Sequence, residues 1–280
     1  MSIKEQFIQS GKKRVRYLTA GDSGGSGPAA ILIHGIGASS DIWMYNIESL
    51  SKKLRVFVPD LPGFGLSSPP DLPFSLLTYA HFLEDFMNTL NIEKADIVGQ
   101  SLGGGIAIQF AQRYPEKVER LVLVGSAGLG KEVIWTFKAM SLPVIGELFS
   151  LPGRLGVEIF FKLAVHDSRL IKPEFVDLYY RYFSQPGFGR YMLKVVRTLI
   201  NLHGVRGQAI DSLLENLHQI KKPTLIIWGN RDRVLPLHHA RFGRDQIEGS
   251  RVRIFQDCGH LPFFENVEEF NKIVGEFLGS

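Results

Sequence analysis

"ADIVGQSLGGGIAIQF" (95–110) sets one serine between glycines at the point where a run of branched apolar residues stops. "ADIVG" reads as a buried strand, and the residues after Ser101 open a helix. A side chain at such a strand-to-helix turn sits in strained backbone, and glycines at 99 and 103 remove the Cβ atoms that would clash there. Gly104 and Gly105 are expected to let the first helical turn pack closely on the sheet. The helix N-terminus adds its dipole and free amides for any negative charge formed beside the serine. Ser101 is therefore a candidate nucleophile; the competing reading is a serine that only caps the helix.

Around this turn the chain alternates short β-branched runs with helix-like segments, the pattern of a mostly parallel sheet covered by helices. The runs are "AAILIH" (29–34), "RVFVPD" (55–60), "ADIVG" (95–99), "RLVLVG" (120–125), "TLIIWG" (224–229) and "RVRIF" (251–255). "LLTYAHFLEDFMNTL" (76–90) and "QAIDSLLENLHQI" (208–220) carry helical spacing. "KEQFIQS" and "KRVRYLTA" read as an edge hairpin joined through Gly11, and "GDSGGSGP" (21–28) as a loop. The interval from Gly125 to Thr224 is too long for an ordinary crossover. It holds helix-like pieces broken by "LP", "PG" and "QPGFG", and 131–206 contains 12 of the chain's 31 aromatic residues, so it reads as a helical lid and not as an independent domain. The expected organisation is a core of 1–126 and 207–280 interrupted by a helical lid, 127–206.

The 45% hydrophobic content of 280 residues supports a large core. A net charge of +4 does not point to nucleic acid. One cysteine, Cys258, excludes an internal disulfide framework and is expected to be a buried small hydrophobe. The N-terminus lacks the apolar run of a signal peptide and no 18 apolar residues follow one another, so a soluble, cytoplasmic protein is expected.

A serine hydroxyl needs a neighbouring base. His260, between a strand and the closing amphipathic helix in "DCGHLPFFENVEEF", is free to face the sheet's C-terminal edge, where open α/β sheets place their sites. Asp232, in "IIWGNRDRVLP", also follows a strand and can hold the imidazole in one tautomer, or merely shape a turn. In "LIHGIGASSDIW" the glycines after His34 let amides turn inward, so the N–H groups of Ile36 and Leu102 are candidate oxyanion donors. His34 itself reads as a brace for that loop.

With these residues placed, "HGIGASSDIW", "VPDLPGFGLSS", "GQSLGGGIAIQFAQRYPEKVERLVLVGS", "PTLIIWGNRDRVLP" and "CGHLPFFENVEEFNKIVGEFL" together resemble the α/β-hydrolase superfamily over almost the whole chain. The resemblance implies the α/β-hydrolase fold: a mostly parallel eight-stranded sheet flanked by helices, with an inserted helical lid. It implies Ser101 as nucleophile, His260 as general base then acid, and Asp232 as the orienting carboxylate, in the family's chain order. Dehalogenases and epoxide hydrolases of this fold use an aspartate nucleophile, against Ser101. The closing pattern and lid are similar to carbon-carbon hydrolases of aromatic ring cleavage, which usually carry tryptophan where this chain has Leu261 and use a lid arginine for the substrate carboxylate. Arg154, Arg169, Arg181 and Arg190 are the candidates for that arginine.

The expected activity is hydrolysis of carboxylic esters with small to medium hydrophobic acyl or aryl groups, with carbon-carbon hydrolysis as an alternative and a small-ligand receptor as the non-enzyme alternative. Pocket walls are expected from Gly35, Ile36, Trp135, Phe137, Phe161, Val234 and Leu261. No metal or nucleotide cofactor is implied, because no histidine pair has helical ligand spacing and no phosphate loop occurs. The adjacent His238 and His239 read as surface residues. Residues 131–206 carry eleven Lys/Arg against six Asp/Glu, a net +5, with three readings: attraction for a substrate carboxylate, contact with an anionic membrane through "SLPVIGELFSLPGRLGVEIFFKLAV", or a solvated face. The implied partner is a small-molecule substrate; monomer and dimer are both open.

Overall fold

A computed structural model describes residues 2–10, 13–21, 27–69 and 74–279; the expected turn at Gly11 and most of the loop 21–28 lie outside the described residues. The strands are β1 (Lys4–Ser10), β2 (Lys13–Ala20), β3 (Ala29–Ile33), β4 (Arg55–Pro59), β5 (Ala95–Gln100), β6 (Val118–Val124), β7 (Ile200–Asn201), β8 (Gly204–Val205), β9 (Thr224–Gly229) and β10 (Arg251–Phe255). All but β7 and β8 form one sheet in the order β1-β2-β4-β3-β5-β6-β9-β10. β1 pairs antiparallel with β2 at the edge, β2 meets β4 antiparallel, and every other pairing in the sheet is parallel.

The central strands are buried on both faces, so their continuous apolar runs divide with period two between two cores. In β3, Ala29, Ile31 and Ile33 belong to one apolar cluster and Ala30 and Leu32 to the other; in β6, Leu121 and Leu123 oppose Val122 and Val124. Before the insertion come α1 (Met44–Leu50), α2 (Leu76–Thr89) and α3 (Leu102–Arg113). The insertion carries α4 (Trp135–Met140), α5 (Ile145–Phe149), α6 (Arg154–Ala164), α7 (Pro173–Phe183) and α8 (Phe188–Leu199). After it come α9 (Gly207–Glu215), α10 (His238–Gln246), α11 (Pro262–Glu265) and α12 (Val267–Leu278). α2, α3 and α9 fill the first cluster through residues such as Phe86, Phe110 and Leu213, while α1 and α12 fill the second through Ile47 and Phe270.

Two local features differ from expectation. The helix expected over 208–220 ends at Glu215, because Asn216 leaves helical geometry (φ −101°, ψ 9°) and its side-chain amide donates to the Ser212 carbonyl at 2.7 Å. A single 3-10 turn, Leu217–Gln219, follows. The insertion also contains the β7–β8 hairpin, whose two-residue strands are too short to show a periodicity. Among the described residues no helix is long and apolar enough to cross a membrane.

A buried ion cluster went unread in the sequence. Arg16 in β2 donates to Glu5 (2.5 Å), Ser40 (3.0 Å), Asp41 (2.7 and 3.1 Å) and Asp60 (3.2 Å). Burial works against its charge, but Asp41 and Asp60 more than offset that and raise its pKa above the ordinary arginine value. Burial is the largest single influence and disfavours ionised Asp41, yet the hydrogen bond and charge of Arg16, with the hydrogen bonds from Tyr182 and Ser39, together outweigh it and hold the carboxyl below the usual range. Asp41 also accepts from the Tyr182 hydroxyl of α7 at 2.8 Å, so the cluster ties the loop after β3 to the insertion. Removing one partner of a buried pair leaves an uncompensated charge at a cost of about 3–5 kcal/mol. Arg16→Met is therefore expected to lower the Tm by about 10 °C in a thermal melt. A loss of under about 2 °C would assign the cluster little role in stability.

Candidate active site

Parallel strands bring their C-terminal ends to one edge, and the candidate residues leave the sheet there. Ser101 follows β5 with φ 53° and ψ −119°, a positive φ that a non-glycine residue holds only when its surroundings impose it. Its carbonyl accepts from Gly104 and Ala127, both at 2.9 Å, and its side chain makes no cap hydrogen bond, which sets aside the capping reading. A Cβ on Gly99 would overlap the Gly103 carbonyl oxygen, and one on Gly103 the Ile33 carbonyl oxygen. Both glycines are thus required by the close approach of β5, α3 and the end of β3.

The second glycine pair divides. A Cβ on Gly104 would overlap the Ser126 side chain, whereas one on Gly105 would sit 3.5 Å from Ala127 and Leu76 in ordinary contact. Close packing explains Gly104 and not Gly105. Gly104→Ala is expected to destabilise, while Gly105→Ala is expected to gain about 0.5–1 kcal/mol from helix propensity. Chemical denaturation of the two variants checks the opposite signs.

His260 Nδ1 lies 2.8 Å from Asp232 Oδ2, and both side chains are buried. The other Asp232 oxygen accepts from the amides of Val234 (2.8 Å) and Leu235 (2.9 Å). One Asp232 oxygen thus closes the turn after β9 and the other meets the imidazole. His260 Nε2 is buried and has no hydrogen-bond partner among the described residues. Ser101 and His260 line the same cavity. The Ile36 and Leu102 amides donate to no carbonyl among the described residues, and Leu102 is the first residue of α3, where the intrahelical acceptor is missing by geometry. His34 is buried, with Nδ1 2.8 Å from the Gly35 carbonyl and Nε2 accepting from the Leu61 amide at 2.9 Å. Both its nitrogens are occupied, and burial lowers its pKa, so it braces the loop as a neutral ring.

Three supporting residues were missed. Gly125, at the end of β6 with φ +47°, would carry a Cβ only 2.9 Å from His260 Nδ1. The half-buried Glu265 accepts from the Gly259 amide (2.8 Å) and the His166 amide (2.7 Å), joining the His260 loop to the insertion. Burial raises its pKa, although those amides oppose the shift. Its signal was the glutamate five residues after His260. Ala164 accepts from the His260 amide at 2.7 Å, a backbone contact with no sequence signature. Cys258 is buried as expected, and burial pushes its thiol pKa up.

The cavity has a volume of about 480 Å³. Gly35, Ile36, Phe137, Phe161, Val234 and Leu261 line it as expected, joined by Met140, Phe149, Phe160, Phe183 and Met192. Trp135 does not: it begins α4 on the outer face and is 67% exposed. None of the four candidate lid arginines lines the cavity; Arg154 pairs with Asp177 at 2.6 Å and Arg169 with Asp167 at 2.9 Å on the surface.

The expectation of two surface histidines is corrected for His239, which is buried because the inner face of α10 packs on β9 beside Trp228. Glu132 at the stem of the insertion meets His239 Nε2 at 2.7 Å and His238 Nε2 at 3.1 Å. The hydrogen bond from His239 lowers the Glu132 pKa to about 2. The three ligand atoms lie within 4.8 Å of one another, a grouping created by the fold and not by helical spacing. His239 Nδ1 has no partner among the described residues to orient a metal-bearing ring, and burial lowers the His239 pKa, so the group reads as a hydrogen-bonded brace.

The family model for the alpha/beta hydrolase fold matches residues 28–267. The chain belongs to the alpha/beta hydrolase family. It is similar to the 2-hydroxymuconate semialdehyde hydrolase of Pseudomonas putida, 31% identical over 292 residues that cover 99% of this chain and 97% of that one. Among solved structures it is similar to a meta-cleavage product hydrolase from Pseudomonas fluorescens IP01, with TM-score 0.84, 30% identity, and coverage of 99% and 98%. It is also similar to a membrane phospholipase A, with TM-score 0.83, 26% identity, and coverage of 99% and 86%. Its relatives in this alpha/beta hydrolase family thus include hydrolases of 2-hydroxymuconate semialdehyde and of meta-cleavage products.

Proposed function

We propose that the chain hydrolyses carboxylic esters with apolar acyl or aryl groups through an acyl-enzyme on Ser101. The observation that carries this reading is the cavity lining: around Ser101 and His260 it is almost wholly apolar, with Gln100 and Thr136 as its other polar side chains and no arginine, lysine, aspartate or glutamate among the described residues. A neutral carbonyl with apolar arms suits such walls; an isolated carboxylate would lose its hydration there without a cation in return.

The Ser101 hydroxyl attacks the carbonyl carbon as its proton passes to His260 Nε2, the ring nitrogen left without a partner. Asp232 holds the opposite nitrogen and stabilises the imidazolium. The oxyanion is received by the Ile36 and Leu102 amides, each donor contributing about 3–4 kcal/mol to the transition state. Collapse breaks the ester C–O bond, and His260 returns the proton to the departing alcohol. A water then loses its proton to His260, attacks the acyl carbon, and releases the carboxylic acid and the Ser101 hydroxyl.

The second reading, carbon-carbon hydrolysis, is favoured by the relatives, one of which is a 2-hydroxy-6-oxo-2,4-heptadienoate hydrolase at 28% identity. Such a substrate is a carboxylate, and the cavity offers it no cation. Steady-state turnover of p-nitrophenyl esters of short and medium acyl chains, set beside turnover of a ring-cleavage dienoate, tests the choice. Ester turnover exceeding dienoate turnover supports the proposal. Dienoate turnover with none on esters replaces it by the second reading, and ligand binding with turnover of neither replaces it by a receptor.

A further inference from the structure

The insertion exposes side chains that a soluble domain normally buries. Val144 (69% exposed) just before α5, Leu148 (63%) and Phe149 (52%) in α5, Leu151 (65%) in the turn after it, and Leu155 (68%) and Ile159 (49%) in the first half of α6 are all exposed. Single exposed apolar residues are ordinary, whereas a grouped set marks a surface that something else covers. Leu148, Phe149, Leu151 and Ile159 also line the cavity that contains Ser101. The patch is therefore the rim of the cavity mouth, continuous with its apolar walls.

Charge says what covers it. The insertion's net +5 contrasts with −1 for the rest of the chain. Arg190 and Lys194 lie one turn apart on the exposed side of α8. Gly189, beside Arg190, packs so closely on Ser150 that a Cβ would press on the Ser150 carbonyl at 2.5 Å, which sets the start of α8, with Arg190 next to the contact, against the end of α5. A second copy of this chain would bring the same cationic face against itself. An anionic bilayer satisfies both the apolar patch and the basic flank.

We infer that the α5–α6 rim docks on an anionic phospholipid surface, from which an ester with a long acyl chain passes into the cavity without crossing water. This inference rests on the ester reading of the Ser101 site and names where its substrate comes from. Along that route the acyl chain stays in contact with Leu151, Leu148 and Ile159 until its carbonyl reaches Ser101.

The test is co-sedimentation of the full chain with phosphatidylcholine vesicles, with and without phosphatidylglycerol, comparing wild type with the double variant V144E/L155E. Neither substituted side chain lines the cavity. Wild type is expected to bind the phosphatidylglycerol vesicles at least about tenfold more tightly than the neutral ones, and the variant to lose at least about tenfold of that binding. Turnover of a short, water-soluble p-nitrophenyl ester is expected to be the same in both proteins. Absence of vesicle binding, equal binding to both vesicle types, or an unchanged affinity in the variant overturns the inference. So does a wild-type dimer in light scattering that the variant lacks, which would make the rim an interface between copies. Soluble-ester turnover reports the Ser101 reading separately, since vesicle binding does not depend on it.

Discussion

Ser101→Ala lowers kcat for p-nitrophenyl esters by a factor on the order of 10⁵ to 10⁶, while leaving the melting curve nearly unchanged: this is the largest effect expected in the molecule. The loss is large because nucleophile and base act as a unit, and alanine leaves His260 with nothing to deprotonate. The fold is spared because the Ser101 side chain caps nothing and the contacts that hold the turn run through its backbone. Burst and steady-state release of p-nitrophenol measure the effect. Equal rates in wild type and variant would remove Ser101 as nucleophile and the acyl-enzyme with it.

Asp232→Asn comes second, with an expected fall in kcat of about 10⁴-fold. The asparagine oxygen can still accept from the Val234 and Leu235 amides, so the turn after β9 is retained. Its amide nitrogen then faces His260 Nδ1 and donates where the carboxylate accepted. That places the ring proton on Nε2, the atom that has to receive the Ser101 proton. Kinetics and a thermal melt on the same preparation separate this tautomer effect from unfolding. A fall of less than about tenfold, with the melt unchanged, would mean that another group orients the imidazole.

Local residue types announced the elbow because its demands are local. A strand must end, the chain must turn with φ positive at Ser101, and neighbours without side chains must stand where backbone atoms converge, which Gly99 and Gly103 supply. Gly105 shows the limit of that reasoning: its motif position looks like that of Gly104, yet only the latter meets a side chain from the end of β6. Trp135 shows another. As an apolar aromatic of the insertion it was expected in the cavity wall, but which face of α4 turns inward is settled by packing against α8 and β7, and Phe137 and Met140 are turned in while Trp135 is not. The Arg16 cluster was illegible for a different reason: a cation in the β1–β2 hairpin looks solvent-facing until Asp41 and Asp60 are brought to it from the segments after β3 and β4.

The sequence by itself determined the alternation of strands and helices, the long interruption before Thr224, and the order of Ser101, Asp232 and His260, since each depends on residue type and spacing along the chain. Tertiary structure alone decided which apolar side chains became cavity wall and which became exposed rim. It decided that none of the basic residues of the insertion lines the cavity, and that Glu132 meets two histidines more than a hundred residues away. Those outcomes depend on how α4 to α8 settle over the edge of the sheet. That packing sums many weak contacts between segments far apart in the chain, and no single stretch of residues contains it.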